Sequence, residues 1–167
     1  FSGETCGVFF SEYAEGSSNN NYLELYNPTA STVFLSQYIM GNCSNGCDTP
    51  DDPFVSNQFD YFTFNFPFDA EIAPGGTYIV AHPSSAQEIL DLADITYSYL
   101  SNGDDAYGLF ELAGADTMLV DLIGLIGPDP GSGWEVAGQA NATQNNTLVR
   151  NEFVFAGNGG DWEMSAG

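Results

Sequence analysis

The side chains of this sequence that could do chemistry are almost all carboxylates. There are 23 Asp and Glu residues against a single Lys or Arg, Arg150, and the formal net charge is −22. Nucleophilic catalysis of the Ser-His-Asp kind needs a histidine base. The one histidine, His82, lies beside Pro83, where a strand-end role is expected. The inventory therefore predicts a protein that is not an enzyme.

The same charge restricts the partners. A surface this negative repels polyphosphates and anionic membranes, so we expect no nucleic-acid ligand. No run of about eighteen apolar residues is present, and no membrane insertion is expected. The charge favours a divalent cation, a cationic partner or a salty medium that screens the repulsion.

Calcium is the metal that suits these residues, because it prefers about six to eight oxygen ligands from carboxylates and carbonyls. Three acidic segments are dense enough to hold it: Glu12 and Glu15 with residues 19–21; Asp48, Asp51 and Asp52; and Asp104 and Asp105. None follows the EF-hand spacing. The alternatives are a hydrogen-bonded strand face for Glu12 and an Asx-turn for Asp104 and Asp105. We predict that the segment containing Asp48 is the best of the three.

The cysteines indicate a structural disulfide rather than a zinc site. Cys43 and Cys47 bracket three residues, a loop short enough to close locally, and the only histidine lies far away in sequence. Cys6 either takes one of these partners or remains free to link to another chain. The sequons at Asn42, Asn141 and Asn145 fit a glycosylated, secreted protein. Because the sequence starts at Phe1 without Met, we expect a mature or trimmed extracellular product.

Short apolar segments alternate with Gly, Asn, Asp and Pro, which is typical of an all-β sandwich or barrel. A single domain over residues 1–167 is predicted. Strands are expected at residues 8–13, 22–26, 33–40, 61–66 and 77–81, followed by a hairpin of 106–112 and 118–126. One short helix is expected at 86–92, capped by Ser84 or Ser85.

Three other side chains stand out within this framework. Arg150, surrounded by acids, is expected to pair with a carboxylate in a bidentate geometry. Tyr22 and Tyr26 share a strand face with Glu24, so they are either stacking platforms for sugars or part of a half-buried sheet face.

A block at residues 10–29 carries a family resemblance, continued at residues 33–38, 74–81, 102–109, 121–124, 131–135, 147–150 and 161–162. In these segments the chain resembles the lamin-tail domain family, and more its secreted microbial branch than the nuclear lamins. The resemblance implies an immunoglobulin-like β-sandwich, used as a non-catalytic accessory module of larger surface or exported proteins. Residues 42–59, an acidic insertion loop with cysteines, do not match the family pattern.

These observations predict an extracellular, non-enzymatic structural or adhesive module that is part of a larger assembly and is stabilised by calcium. Contact with other proteins, including further copies, would use strand edges or the N-terminal segment. A carbohydrate-binding accessory module is the alternative. A hydrolase appendage lacks a base and a cationic clamp.

Overall fold

The computed structural model describes residues 7–47, 59, 61–100, 102–114 and 116–167, with the backbone alone for 61–64. Cys6 and the predicted calcium ligands Asp48, Asp51 and Asp52 lie outside the described residues. Within these ranges the strands are, in chain order, β1 Phe9–Glu15, β2 Asn21–Tyr26, β3 Val33–Phe34, β4 Tyr38–Cys43, β5 Tyr61–Asn65, β6 Glu71–Ile72, β7 Thr77–Ala81, β8 Ile95–Thr96, β9 Ala106–Ala113, β10 Asp116–Ile123 and β11 Thr147–Val149.

The strands form two main sheets that face each other. One has the order β11-β1-β2-β7-β8 and the other β10-β9-β4-β5, while β3 and β6 pair separately. All pairings are antiparallel except that of β7 with β8. The predicted immunoglobulin-like β-sandwich with little helix is confirmed.

Strand β2 shows how the sequence selects the buried face. Leu23 and Leu25 are 1% and 0% exposed, whereas Glu24 between them is half-buried on the outer face. Alternate side chains of a strand point to opposite faces of the sheet. Asn27 ends the strand, and its buried side-chain amide donates to the carbonyl oxygens of Ser31 and Ile72 at 2.8 and 2.9 Å. Tyr22, Glu24 and Tyr26 thus share a half-buried outer face, which is one of the two alternatives expected for the tyrosines.

The single strand predicted at residues 33–40 is wrong. Residues Leu35–Gln37 form a turn of 3-10 helix that separates β3, which pairs with β6, from β4 in the second main sheet. Leu35 and Tyr38 are still core residues, at 0% and 5% exposed. The segment predicted as one strand therefore contains two core residues, but it also contains a turn that moves the chain between sheets.

The hairpin of β9 and β10 is confirmed. Its turn contains Gly114 with φ 70°, a left-handed conformation that glycine adopts without steric cost. The strands extend to Ala113 and from Asp116, and a bulge between Leu119 and Asp121 interrupts their register.

Helix α1 spans Gln87–Leu90, shorter than predicted. The expected cap by Ser84 or Ser85 is wrong, because Ala86 precedes the helix without a side-chain cap bond. The Ser85 hydroxyl instead donates to the Asn19 carbonyl at 2.8 Å. A second helix, α2, spans Trp162–Ala166 and was not predicted; the Asp161 carboxylate accepts a hydrogen bond from Met164 N at 2.9 Å. Among the described residues, neither helix has the length and apolar character of a membrane span.

Candidate functional site

Arg150, whose side chain is 17% exposed, forms an ion pair with a buried carboxylate. Its Nη2 lies 2.7 Å from Oδ1 of Asp121, whose side chain is fully buried, and its guanidinium lies 5.7 Å from the centre of the Phe9 ring. The predicted carboxylate partner is confirmed, but the bidentate geometry is wrong. The other carboxylate oxygen, Oδ2, accepts a hydrogen bond from Phe10 N at 2.8 Å.

Backbone N–H groups complete the environment of Asp121. Its Oδ1 also accepts from Asn158 N at 2.9 Å, so the two carboxylate oxygens have three described donors. Burial raises the pKa of Asp121, while Arg150 and the N–H groups of Asn158 and Phe10 oppose that rise. Three converging donors, one of them a cation, are the usual compensation for placing a carboxylate in the core.

Asn158 also closes the edge of β10. Its side-chain carbonyl accepts from Leu122 N at 2.9 Å, and its side-chain nitrogen donates to Leu122 O at 2.7 Å. One side chain thus replaces part of a neighbouring strand. Sequence reasoning missed this residue, whose only signal is its position before two glycines.

A cavity of about 270 Å³ opens beside Arg150, between β11 and α2. Its apolar lining includes Leu148, Val154 and Trp162. Val149 and Met164 on its rim are 65% and 67% exposed. The cavity is adjacent to the free edge of β11, which consists of only three residues.

At one end of the sandwich, three loops converge. The predicted Cys43–Cys47 disulfide is confirmed, with the two Cα atoms 5.0 Å apart. Inside this disulfide loop Gly46 N donates to Asp104 O at 3.2 Å, and Cys47 N donates to Gly127 O at 2.9 Å. A Cβ on Gly46 would lie 2.5 Å from Gly127 O, so the loops pack too closely to admit any side chain there.

Asp104 and Asp105 lie at this convergence but have different environments. Asn45 N donates to Oδ1 of Asp105 at 2.9 Å, and Trp134 Nε1 donates to its carbonyl at 3.1 Å. Asp104 is 8% exposed, and its Oδ1 is buried with no hydrogen-bond partner. Burial raises the pKa of both carboxyls, and for Asp104 the nearby charges of Asp129 and Glu15 raise it further.

The outer face of the first sheet carries a second acidic site. Glu12 on β1 and Glu24 on β2 are direct cross-strand partners. Tyr22 donates its hydroxyl to Glu12 Oε2 at 2.8 Å, and Ser11 Oγ donates to Glu24 Oε1 at 2.6 Å. Burial, followed by the hydrogen bond and charge of Glu12, raises the pKa of Tyr22 to about 12.

These carboxylates line what we call the α1 groove, a concavity of about 350 Å³ between the sheet and helix α1. It is lined by acidic, aromatic and apolar residues: Glu12, Tyr22, Glu24, Ile79, Glu88, Ile89 and Leu92. Leu92 is 69% exposed. An apolar floor with acidic walls suits a cationic side chain that also carries an apolar stem.

Several residues of the first predicted calcium segment have described hydrogen-bond partners within the protein. Glu15 accepts a hydrogen bond from Asn145 N, and the amide oxygens of Asn20 and Asn21 accept from Ala86 N and Gly16 N. Among the described residues no three His, Cys, Asp or Glu side chains come together as metal ligands. Calcium therefore stays a prediction.

The remaining predicted residues have diverse surroundings. Asn42 is 3% exposed, and its side-chain oxygen accepts from Tyr97 at 3.0 Å, which leaves no room for a glycan in the folded chain. Asn141 and Asn145 are exposed in loops, and their glycosylation stays a prediction. His82 follows β7 and its Nδ1 accepts from Ser84 N at 3.1 Å, which confirms its strand-end role.

Comparison with known proteins gives one match. The family model described as Lamin Tail Domain matches residues 2–126, which is most of the sequence. No curated protein and no solved structure matches significantly. The α1 groove and Asp104 lie within the matched region, whereas Arg150 and Asn158 lie beyond it.

Proposed function

This chain belongs to the lamin tail domain family, and from that premise we propose that it is a non-catalytic module that binds a cationic protein segment outside the cell. Domains of this family are immunoglobulin-like protein-interaction modules, and the family is non-enzymatic. The binding site that we propose is the α1 groove. Its partner is a segment in which Lys or Arg alternates with apolar residues.

The observation that carries this proposal is the direct cross-strand pairing of Glu12 with Glu24 beside an apolar floor. Like charges directly opposite each other destabilise a sheet by up to about 1 kcal/mol. Each carboxylate has one oxygen bound to a hydroxyl of Tyr22 or Ser11. A partner's ammonium or guanidinium between the two carboxylates would relieve their repulsion.

The charge of the whole chain supports a cationic partner over a second copy. With a net charge of −22 and a single Lys or Arg, the chain has no cationic segment to offer to its own groove, since Arg150 is already paired with Asp121. The field also accelerates encounter with cationic partners, and this effect weakens as salt is added. A larger assembly would therefore contain another, basic protein.

The extracellular setting is supported by the disulfide. Structural disulfides form and persist in oxidising compartments and are rare in the cytosol of most organisms. The Cys43–Cys47 bridge closes a loop that is hydrogen-bonded to two other loops, which fits a structural rather than a transient bond.

Carbohydrate binding has less support. It depended on Tyr22 and Tyr26 as stacking platforms, but both rings are half-buried. The Tyr22 hydroxyl is bound to Glu12, and the Tyr26 ring packs edge-on against Phe9 at 5.8 Å. The face therefore presents carboxylates rather than open aromatic surfaces, and we retain the protein partner.

The test is binding of a fluorescent peptide of alternating Lys and Leu, measured by anisotropy at about 0.15 M salt, where distant charges are screened. We expect the double variant E12Q/E24Q to weaken binding about tenfold or more. The matched control is E135Q/E152Q, which removes the same charge from exposed positions. Equal weakening by both pairs would mean that the peptide senses only the net charge, and would refute the groove as the site.

A further inference from the structure

We propose that the three-loop end of the sandwich binds one Ca²⁺ ion, with the carboxylate of Asp104 as a ligand. This inference goes beyond the proposed function, because it uses different residues from those of the α1 groove. It needs no partner protein.

The primary observation is an unused acceptor in the interior. The Asp104 side chain is more than nine-tenths buried, and its Oδ1 has no hydrogen-bond partner. A buried polar atom without a partner lowers stability, and more so when it is charged. Asp104 Oδ1 is the one such side-chain atom found among the described residues. A bound cation would supply the missing partner.

The surroundings of Asp104 attract a cation. The charges of Asp129 and Glu15 act on its carboxyl and disfavour its ionised form, whereas a divalent ion would reverse the balance for all of these acids. Of the described residues, only Arg150 carries a permanent positive charge on its side chain, and it is committed to Asp121. A cation that compensates the ionised Asp104 would therefore come from solution.

The available ligand atoms favour calcium. The two cysteines at this end are joined in a disulfide, so they offer no thiolate for zinc. No third carboxylate, histidine or cysteine completes a side-chain cluster among the described residues, so backbone carbonyls and water would fill the remaining positions. Ca²⁺ accepts such mixed oxygen sets, while Mg²⁺ demands a stricter octahedral arrangement. The Ser132 carbonyl, 2.8 Å from where a Cβ of Gly103 would lie, is one such oxygen near this turn.

Hydrogen bonds preorganise the loop that carries Asp104. Thr143 Oγ1 donates to Gly103 O at 2.6 Å, and Gly46 N donates to Asp104 O at 3.2 Å. The neighbouring Asp105 is held at its carboxylate by Asn45 N and at its backbone carbonyl by Trp134 Nε1. The backbone around the proposed ligand is thus fixed on both sides, which reduces the ordering cost of binding an ion.

The first experiment uses the unmodified chain. At a Ca²⁺ concentration about 100-fold above Kd, we expect the Tm to rise by roughly 5 °C or more over the chelated protein, with a much smaller effect of Mg²⁺. Tb³⁺, which replaces Ca²⁺ in oxygen sites, should show emission sensitised by Trp134, because the indole nitrogen lies 3.1 Å from Asp105 O. An unchanged Tm together with the absence of sensitised emission would overturn the proposal.

The second experiment assigns the ligand. D104N keeps the shape of the side chain and removes its charge, and we expect it to lose at least tenfold in Ca²⁺ affinity. The control D116N removes an exposed carboxylate from the β9–β10 hairpin and should leave the affinity unchanged. Equal affinities of D104N and D116N would overturn the assignment. If D104N does not fold, the Tb³⁺ emission sensitised by Trp134 in the unmodified chain decides, because it reports an ion beside Asp105, and its absence would overturn the assignment. Because E12Q/E24Q retains Asp104, failure of the groove and failure of the calcium site are separate results.

Discussion

Asp121 and Asp104 are both buried aspartates, but they differ in whether their carboxylate oxygens have partners. Asp121 lies between Arg150 and the N–H groups of Phe10 and Asn158, and both of its oxygens have partners. Asp104 leaves Oδ1 without one and is surrounded by the charges of other acids. Asp121 has its countercharge in Arg150, whereas Asp104 has no cationic side chain as a partner in the part of the chain that the structure describes.

The contrast between the two aspartates explains why the single guanidinium of this acidic protein lies at Asp121. Exposed acids lose little by being unpaired, because water and salt screen them. A buried carboxylate without a countercharge is far more costly. Arg150 therefore stabilises the fold most as the partner of a buried carboxylate, and an acidic site near the surface can bind a cation from solution.

The largest expected effect comes from removing the guanidinium of Arg150. R150M should lower the free energy of unfolding by about 3–5 kcal/mol, because it leaves Asp121 charged, buried and without its ion-pair partner. Urea unfolding followed by tryptophan fluorescence measures this loss. The control E152Q changes an exposed residue of the adjoining loop and should stay within about 0.5 kcal/mol of the unmodified chain. A loss below 1 kcal/mol for R150M would show that the pair is not essential to the core.

A smaller effect is expected from removing the disulfide at the three-loop end of the sandwich. The disulfide joins residues only 4 apart in sequence, and closing so short a loop is worth about 2 kcal/mol in the chain-entropy model. C43S/C47S should lose about that amount in calorimetry and bind Ca²⁺ more weakly, because Gly46 N would no longer be held against Asp104 O. A loss of stability without any change in calcium response would mean that the Asp104 loop keeps its shape unaided.

The smallest effect is expected for Tyr22, whose partly buried hydroxyl has acidic neighbours. The pKa of Tyr22 is raised from 10.0 to about 12, so the folded chain retains this proton over a range in which the unfolded chain loses it. Stability from this residue is therefore present below pH 10 and is lost as the pH rises towards 12. Y22F should flatten the fall in Tm over this range. Absorbance titration should show one tyrosine fewer with a raised pKa; an unchanged titration curve would contradict the assignment.

Much of the fold was predictable because it depends on local patterns. Leu23 and Leu25 alternate with Glu24, and the glycine of the β9–β10 turn has the positive φ that the pattern requires. The spacing of Cys43 and Cys47 favoured a local disulfide but left Cys6 as an alternative partner, and the structure shows the local pair. In each case the physical cause lies within a few residues of its effect.

The features that sequence reasoning missed depend on distant partners. Nothing local distinguishes Asp121 from the other acids as the partner of Arg150, 29 residues away, except that it lies in an apolar strand. The turn at Leu35–Gln37 depends on β3 pairing with β6 rather than with its chain neighbours. The unpartnered oxygen of Asp104 is a property of three loops packed together, which no spacing rule reveals.

The asparagine that closes β10 has a consequence for the boundary of the domain. Residues beyond 126, outside the stretch that the family model matches, supply β11, the guanidinium that pairs with Asp121 and the amide that binds both backbone groups of Leu122. A fragment trimmed to that stretch would leave the Asp121 carboxylate without its ion-pair partner. It would also expose the edge of β10, and exposed strand edges pair with other chains and aggregate. The segment after residue 126 thus neutralises a buried carboxylate and covers the edge of β10, and it belongs in any expressed fragment.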